Sequence, residues 1–235
     1  MNLLFKIVKN DLRLIFRDKS LMIMFIVPIA IILICRFGIS QLVEIVPGLP
    51  DYFWLIVAGL TMVNAATPSY LFGFIMLDER DENIHIMLKI LPVPENFLLK
   101  SRLVFMILIG YLFSAAIFLY NGLIHLPYYK ILLISFLFAL IPPVSTFAIT
   151  AFAKNKIEAA TLYKALNVLL FIPVIAFFVE GGLKMLFKII PFFWIFETIR
   201  LSMLNLQFIF PFLFALITNI ALAWLLYIIY KKRNS

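Results

Sequence analysis

Residues 77–103 read LDERDENIHIMLKILPVPENFLLKSRL and stand between two long apolar segments. Asp78, Glu79, Asp81 and Glu82 suit the first turn of a helix, where the macrodipole favours negative charge. Ile84, Met87 and Leu88 then fall on one apolar face, and Pro92 and Pro94 stop the helix. A short helix of this kind, projecting from lipid into the cytoplasm, is a handle: the Met-Leu knob fits a groove on a partner while the charges fix register. The alternative is a solvated loop carrying a few interfacial residues.

The chain around this stretch is that of a membrane protein. Its 235 residues are 65% hydrophobic and 14% charged, with mean hydropathy +1.10. Soluble domains carry about 45–50% apolar and about 25% charged residues. At about 20–25 residues per span there is room for six spans with short connections, and little for a globular domain. The net charge of +8 reads as topology rather than nucleic-acid binding, because the basic residues flank apolar runs. The single cysteine, Cys35, excludes an intramolecular disulfide. The N-terminal apolar run is longer than a signal-peptide core and lacks a small-residue cleavage pattern, so it is expected to stay as an anchor.

Working outward, Leu4, Ile7, Val8, Leu12 and Ile15 share one helical face and Lys6, Lys9, Arg13 and Arg17 another. That pattern suits a helix in the headgroup plane with its cations toward anionic lipid; a basic cytosolic tail is the alternative. Six spans are expected at 21–43, 52–77, 103–122, 131–153, 163–180 and 208–230, with kinks at Pro28, Pro142 and Pro143. Residues 181–207 are too apolar for a solvated loop, yet Lys184, Lys188, Pro191, Glu197 and Arg200 interrupt them. A pair of short helices dipping into the bilayer and returning fits, with a seventh span as the alternative. Charge favours six. An even count puts most cations on one side and leaves Lys130, Lys184, Lys188 and Arg200 on the other, which assigns both termini to the cytoplasm.

No G-x-x-x-x-G-K-[ST] loop occurs, so the chain does not bind ATP by that device. H-E-x-x-H and G-x-S-x-G are absent, and His85 and His125 fall on opposite sides, which argues against a metal site or a catalytic centre. No Asp or Glu sits in mid-span, where an ion-coupled carrier would place one. Arg36 lies about 22 Å past Leu21, in the outer leaflet. It is either an anchor snorkelling outward or a cation lining a lateral opening for substrate. Ala65, Ser69 and Gly73, and Gly110 and Ser114, recur at four-residue spacing, which lets helices approach closely.

With these features in order, the chain resembles a type-2 ATP-binding-cassette permease. Glu79-Arg80, Leu88, Pro92-Val93-Pro94 and Leu98-Leu99-Lys100 match the family's pattern after its second span. Pro191, Trp194, Glu197 and Arg200 match its Pro-x-x-(Trp/Tyr)-x-x-Glu-x-x-Arg before the last span. The usual Gly-Thr after the Glu-Arg pair is replaced by Asp-Glu-Asn-Ile. The resemblance implies one all-α polytopic permease domain over 1–235. It would have an N-terminal amphipathic elbow helix (1–20), six transmembrane helices, a coupling helix in the cytoplasmic loop 78–102 and external re-entrant helices (181–207). Glu79, Arg80, Asp81, Glu82, Ile84, Met87, Leu88 and Pro92 would seat in an ATPase, with Lys154, Lys156 and Glu158 as a second contact. Gly181, Gly182, Pro191, Trp194, Glu197 and Arg200 would gate the outer mouth.

The implied assembly is two permeases, expected as a homodimer, with two copies of an ATPase in a bacterial cytoplasmic membrane. ATP and Mg²⁺ would be bound by the ATPase; this chain would hold no cofactor and do no covalent chemistry. Twenty-six Phe, 3 Trp and 9 Tyr suit an amphipathic or hydrophobic cargo entering from the membrane, and equally a lipid-facing surface; the resemblance to small bacterial permeases implies export of a drug or an amphipathic peptide. The competing readings are a small ion-coupled carrier or channel and a non-transporting anchoring subunit.

Overall fold

The computed structural model describes residues 3–43, 45–82, 97–179 and 181–234. Among them every regular element is helical. Helix α1, Leu3–Arg17, leads into α2, Lys19–Leu33, which continues through a π-helical turn, Ile34–Gly38, into α3, Ile39–Leu42. Asp18 makes the corner between α1 and α2: its carboxylate accepts from the backbone N–H groups of Ser20 (2.8 Å) and Leu21 (3.4 Å). A 3₁₀ turn, Leu49–Tyr52, precedes α4, Phe53–Asp81. Then come α5, Phe97–Tyr120; α6, Tyr128–Phe138; α7, Ile141–Phe152; and α8, Lys156–Phe171, which ends in a 3₁₀ turn, Ile172–Phe177. Two short helices, α9 (Leu183–Phe187) and α10 (Phe193–Met203), precede the last, α11 (Ile209–Asn234).

Among the described residues six segments are long and apolar enough to cross a bilayer: Lys19–Leu42, Leu49–Asp81, Phe97–Tyr120, Tyr128–Phe152, Lys156–Phe177 and Ile209–Arg233. The six-span expectation holds, and residues 181–207 form two short helices rather than a seventh span. The second and fourth spans are the interior. Of their most apolar stretches 78% and 83% is buried, against 11% in the first span and 17% in the last. Small residues make that centre possible. A Cβ on Gly110 would lie 2.8 Å from Pro142 Cγ, and one on Gly73 3.3 Å from Ile149 Cγ2.

The prolines act through the hydrogen bonds they remove. Pro142 and Pro143 occupy the first turn of α7, and the fourth span breaks before them at Ala139–Leu140. Pro68 sits inside α4 without a break. It leaves the carbonyl of Asn64, four residues earlier, without an amide donor, and the Thr67 hydroxyl supplies one at 2.7 Å. Pro28 likewise stays inside α2, and the π-helical turn follows it.

Candidate functional site

The bundle has two unlike ends. At one lie the C-terminus of α4, the N-terminus of α5, the α7–α8 turn and the C-terminus of α11. Here the acidic run differs from its sequence reading. Asp78–Asp81 is the last turn of the α4 helix, with Glu82 as its cap residue, rather than the start of a new helix. No helix breaker separates the run from the apolar span, so the helix continues through it. Carboxylates at a helix C-terminus oppose the macrodipole, and cations from other elements offset them.

Arg102, in the second turn of α5, is the centre of that compensation. Its Nη1 and Nη2 donate to Glu79 Oε2 and Oε1 at 2.5 and 2.6 Å. Its Nε and Nη2 donate to Asp11 Oδ2 and Oδ1 at 3.0 and 2.9 Å. One guanidinium therefore holds two carboxylates, each by a two-point fork. The Arg102 side chain is 3% exposed and that of Asp11 2%. Beside it, Arg80 Nη2 donates to the carbonyls of Ala153 and Lys154, both at 3.0 Å. Arg233 Nη1 donates to the Ala151 carbonyl at 2.5 Å and lies over the Phe152 ring. These carbonyls are the unpaired acceptors at the end of α7.

The residues expected to form a first and a second contact are thus brought together. Asp78 pairs with Lys156 at 2.9 Å, and Arg80 reaches the carbonyl of Lys154. Glu158 is occupied locally: its N–H donates to Asn155 Oδ1 (2.9 Å) and its carboxylate accepts from the Lys154 N–H (2.8 Å), a capping arrangement at the start of α8. Asp81 and Glu82 are exposed. Ile84, Met87, Leu88 and Pro92 lie outside the described residues.

At the other end the packing is aromatic. Phe177 stacks on Phe193 (centroids 5.6 Å, planes 7° apart) and meets Trp54 edge-on at 5.0 Å. Trp194 packs on Phe214 at 4.6 Å and donates its indole N–H to the Lys188 carbonyl at 2.8 Å. Glu197 and Arg200 pair within α10 at 2.6 Å, which raises the Arg200 guanidinium further above its ordinary value. Gly181, at φ 75°, makes a left-handed turn before α9 that a side chain would strain, with Gly182 next to it. Pro191 immediately precedes the α10 region. The predicted gate residues therefore share one segment. Arg36 projects from the π-helical turn and donates to the Tyr120 carbonyl at 3.1 Å, the last residue of α5.

Three residues escaped the sequence reading. Asp11 lies three or four residues from Val8 and Ile15, on the apolar stripe of α1, and a carboxylate there requires a buried cation. That signal was legible. Arg102 was visible only as one of many flanking cations. Lys130, 4% exposed, donates to the Ser202 carbonyl (2.8 Å) and to Asn205 Oδ1 (2.9 Å), where α10 ends with Asn205 at φ 53°. No local pattern announces it, because its partners lie 72 and 75 residues away. Among the described residues no cluster of His, Cys, Asp and Glu could hold a metal.

Comparison with known proteins assigns the family. Residues 11–227 match the family described as Rv2686c-like, Fluoroquinolones export permease protein Rv2686c-like, and the chain belongs to it. Two curated relatives, the Fluoroquinolones export permease proteins of Mycobacterium tuberculosis strains CDC 1551 / Oshkosh and ATCC 25618 / H37Rv, are each 24% identical over 198 residues, 79% of this chain and 77% of the relative. No solved structure matches. The resemblance to an exporter permease, read from the loop motifs, agrees with this membership.

Proposed function

From that membership we propose that the chain is the membrane-spanning subunit of a drug exporter, driven by a separate ATP-binding-cassette ATPase seated on the charged end of the bundle. The charged end faces the cytoplasm, both termini lie there, and α1 is the elbow helix in the headgroup layer. Two permease copies and two ATPase copies form the exporter in a bacterial cytoplasmic membrane. ATP and Mg²⁺ bind in the ATPase, and this chain contributes no covalent chemistry. Residues 83–96, with Ile84, Met87, Leu88 and Pro92, make the main contact with the ATPase. The α7–α8 turn at Lys154 and Lys156 lies beside it, and the aromatic segment 181–207 closes the outer mouth.

The observation that carries this reading is the way the charged end is built. The two roots of the 83–96 segment, Glu79 and Arg102, are held against each other, and the α7–α8 turn is tied to the same helix end by Arg80 and Asp78. A push on that segment is delivered to α4, the most contacted helix of the bundle, rather than lost in a hinge. The cargo is an amphipathic or hydrophobic drug, and a fluoroquinolone is the first candidate, because that is what the relatives are named for exporting. An apolar cavity of about 260 Å³ between α7, α8 and α11, lined by Val144, Leu166, Leu170 and Leu222 among others, is consistent with apolar cargo reaching the bundle from the side. An amphipathic peptide remains the second candidate on the same ground.

The test is a pull-down of the tagged chain from its native membrane, with ATP hydrolysis measured with and without a fluoroquinolone. Co-purification of an ATPase whose turnover the drug changes is the expected result. A chain that purifies alone, with no ATP dependence, overturns the proposal. Within a working exporter, Met87→Asp and Leu88→Asp each abolish transport at unchanged expression; transport that survives both rejects the assignment of the contact.

A further inference from the structure

The forked contacts of Arg102 join three helices that the chain itself leaves separate. Asp11 belongs to α1, ahead of the first span. Glu79 ends α4, and Arg102 begins α5, so the pair closes the base of the segment between them. Asp11 and Glu79 carry like charge and repel, and the guanidinium between them offsets that repulsion, while Ile15 adds an apolar contact of α1 with the core. The guanidinium is planar, and a single nitrogen, Nη2, serves both carboxylates. The angle between the two forks is therefore fixed in a way that a lysine ammonium, a point charge on a flexible stem, cannot reproduce. Water does not compete, because Arg102 and Asp11 are almost wholly buried.

Resting on the proposed function, we propose that Arg102 is a positioning residue: it makes α1, the end of α4 and the start of α5 move as one lever when the ATPase displaces the 83–96 segment. Motion entering at that segment reaches α4 through Glu79 and the first span through Asp11 and α1. Without the forks, a displacement is not shared among α1, α4 and α5, and ATP is hydrolysed without moving cargo. A purely stabilising contact would lower the yield or melting temperature of the complex and leave the cargo moved per ATP unchanged.

The experiment uses the permease with its co-purified ATPase in proteoliposomes, a fluoroquinolone as probe, and the ratio of drug moved to ATP hydrolysed as readout. Arg102→Lys is expected to lower this ratio by about tenfold, within the range by which coupling elements alter linkage between sites. Asp11→Asn, which keeps the Glu79 fork and spares the fold if Arg102→Lys does not assemble, lowers it several-fold. Asp11→Glu, which can still accept both hydrogen bonds, restores it. An unchanged ratio in Arg102→Lys and in Asp11→Asn, with the ATPase still bound, overturns the inference alone. If the unmodified chain brings down no ATPase, the proposed function fails and the inference falls with it.

Discussion

The two ends of this bundle solve the same problem with different chemistry. Helix C-termini in an apolar environment present carbonyls without donors, and at both ends cations from other helices supply them. At the charged end Arg80 and Arg233 serve the end of α7. At the aromatic end Arg36 serves the end of α5 and Lys130 the end of α10. The difference lies in what surrounds them. The charged end adds carboxylates, so Asp11, Glu79, Asp78, Arg102 and Lys156 link α1, α4, α5 and α8 by directional bonds. The aromatic end adds rings, and among the described residues its one carboxylate-to-cation pair, Glu197–Arg200, stays within α10. Directional bonds hold elements in fixed geometry and transmit displacement. Stacked rings, whose contacts are worth about 0.5–1.5 kcal/mol each beyond burial, can slide and re-form. A rigid end and a yielding end fit the exporter proposed above, driven at the first and gated at the second.

The sharpest way to break this contrast is to remove Arg102. Arg102→Met leaves the buried Asp11 and the half-buried Glu79 facing each other without a cation. A loss of about 3–5 kcal/mol is expected, read as a large fall in the thermal midpoint of the detergent-solubilised protein. At the other end, Lys130→Met strips the donor from Ser202 and Asn205, a loss of about 1–3 kcal/mol. Its effect should be local, changing Trp194 fluorescence while leaving the charged end intact. Gly110→Ala tests the packing between the ends: the new Cβ meets the Pro142 ring, and about 1–3 kcal/mol of overpacking strain is expected in the same melting assay. The smallest effect belongs to Lys156→Ala. The Asp78–Lys156 pair is over a third exposed on both sides, so a change below about 1 kcal/mol is expected. An effect as large as that of Arg102→Met would mean that the charged end is not organised around Arg102.

Much of this was legible from periodicity and composition. Apolar length gave six spans, and the small residues at 65, 69 and 73 and at 110 and 114 marked the helix approaches at Gly73 and Gly110. The break before Pro142-Pro143 follows from two missing amides. The acidic run at 78–82 misled, because local charge preference argues for a helix start, whereas a continuous apolar helix with nothing to stop it runs on and has its end charges neutralised by Arg102 and Lys156. Pro68 leaves no break to read: the Thr67 hydroxyl donates to the Asn64 carbonyl and the helix continues through the proline. Lys130 and Arg102 could not be found from spacing, since their partners come from distant parts of the chain. Asp11 could have been, as an acid on an apolar stripe.

The central claim, an exporter whose charged end is driven by ATP, is tested most directly in inverted membrane vesicles carrying the chain and its ATPase. Uptake of a fluoroquinolone is measured with and without ATP, and with ion gradients collapsed by ionophores. The account predicts uptake that requires ATP and survives the ionophores. Uptake that needs no ATP and vanishes with the ion gradient would contradict it and make the chain an ion-coupled carrier.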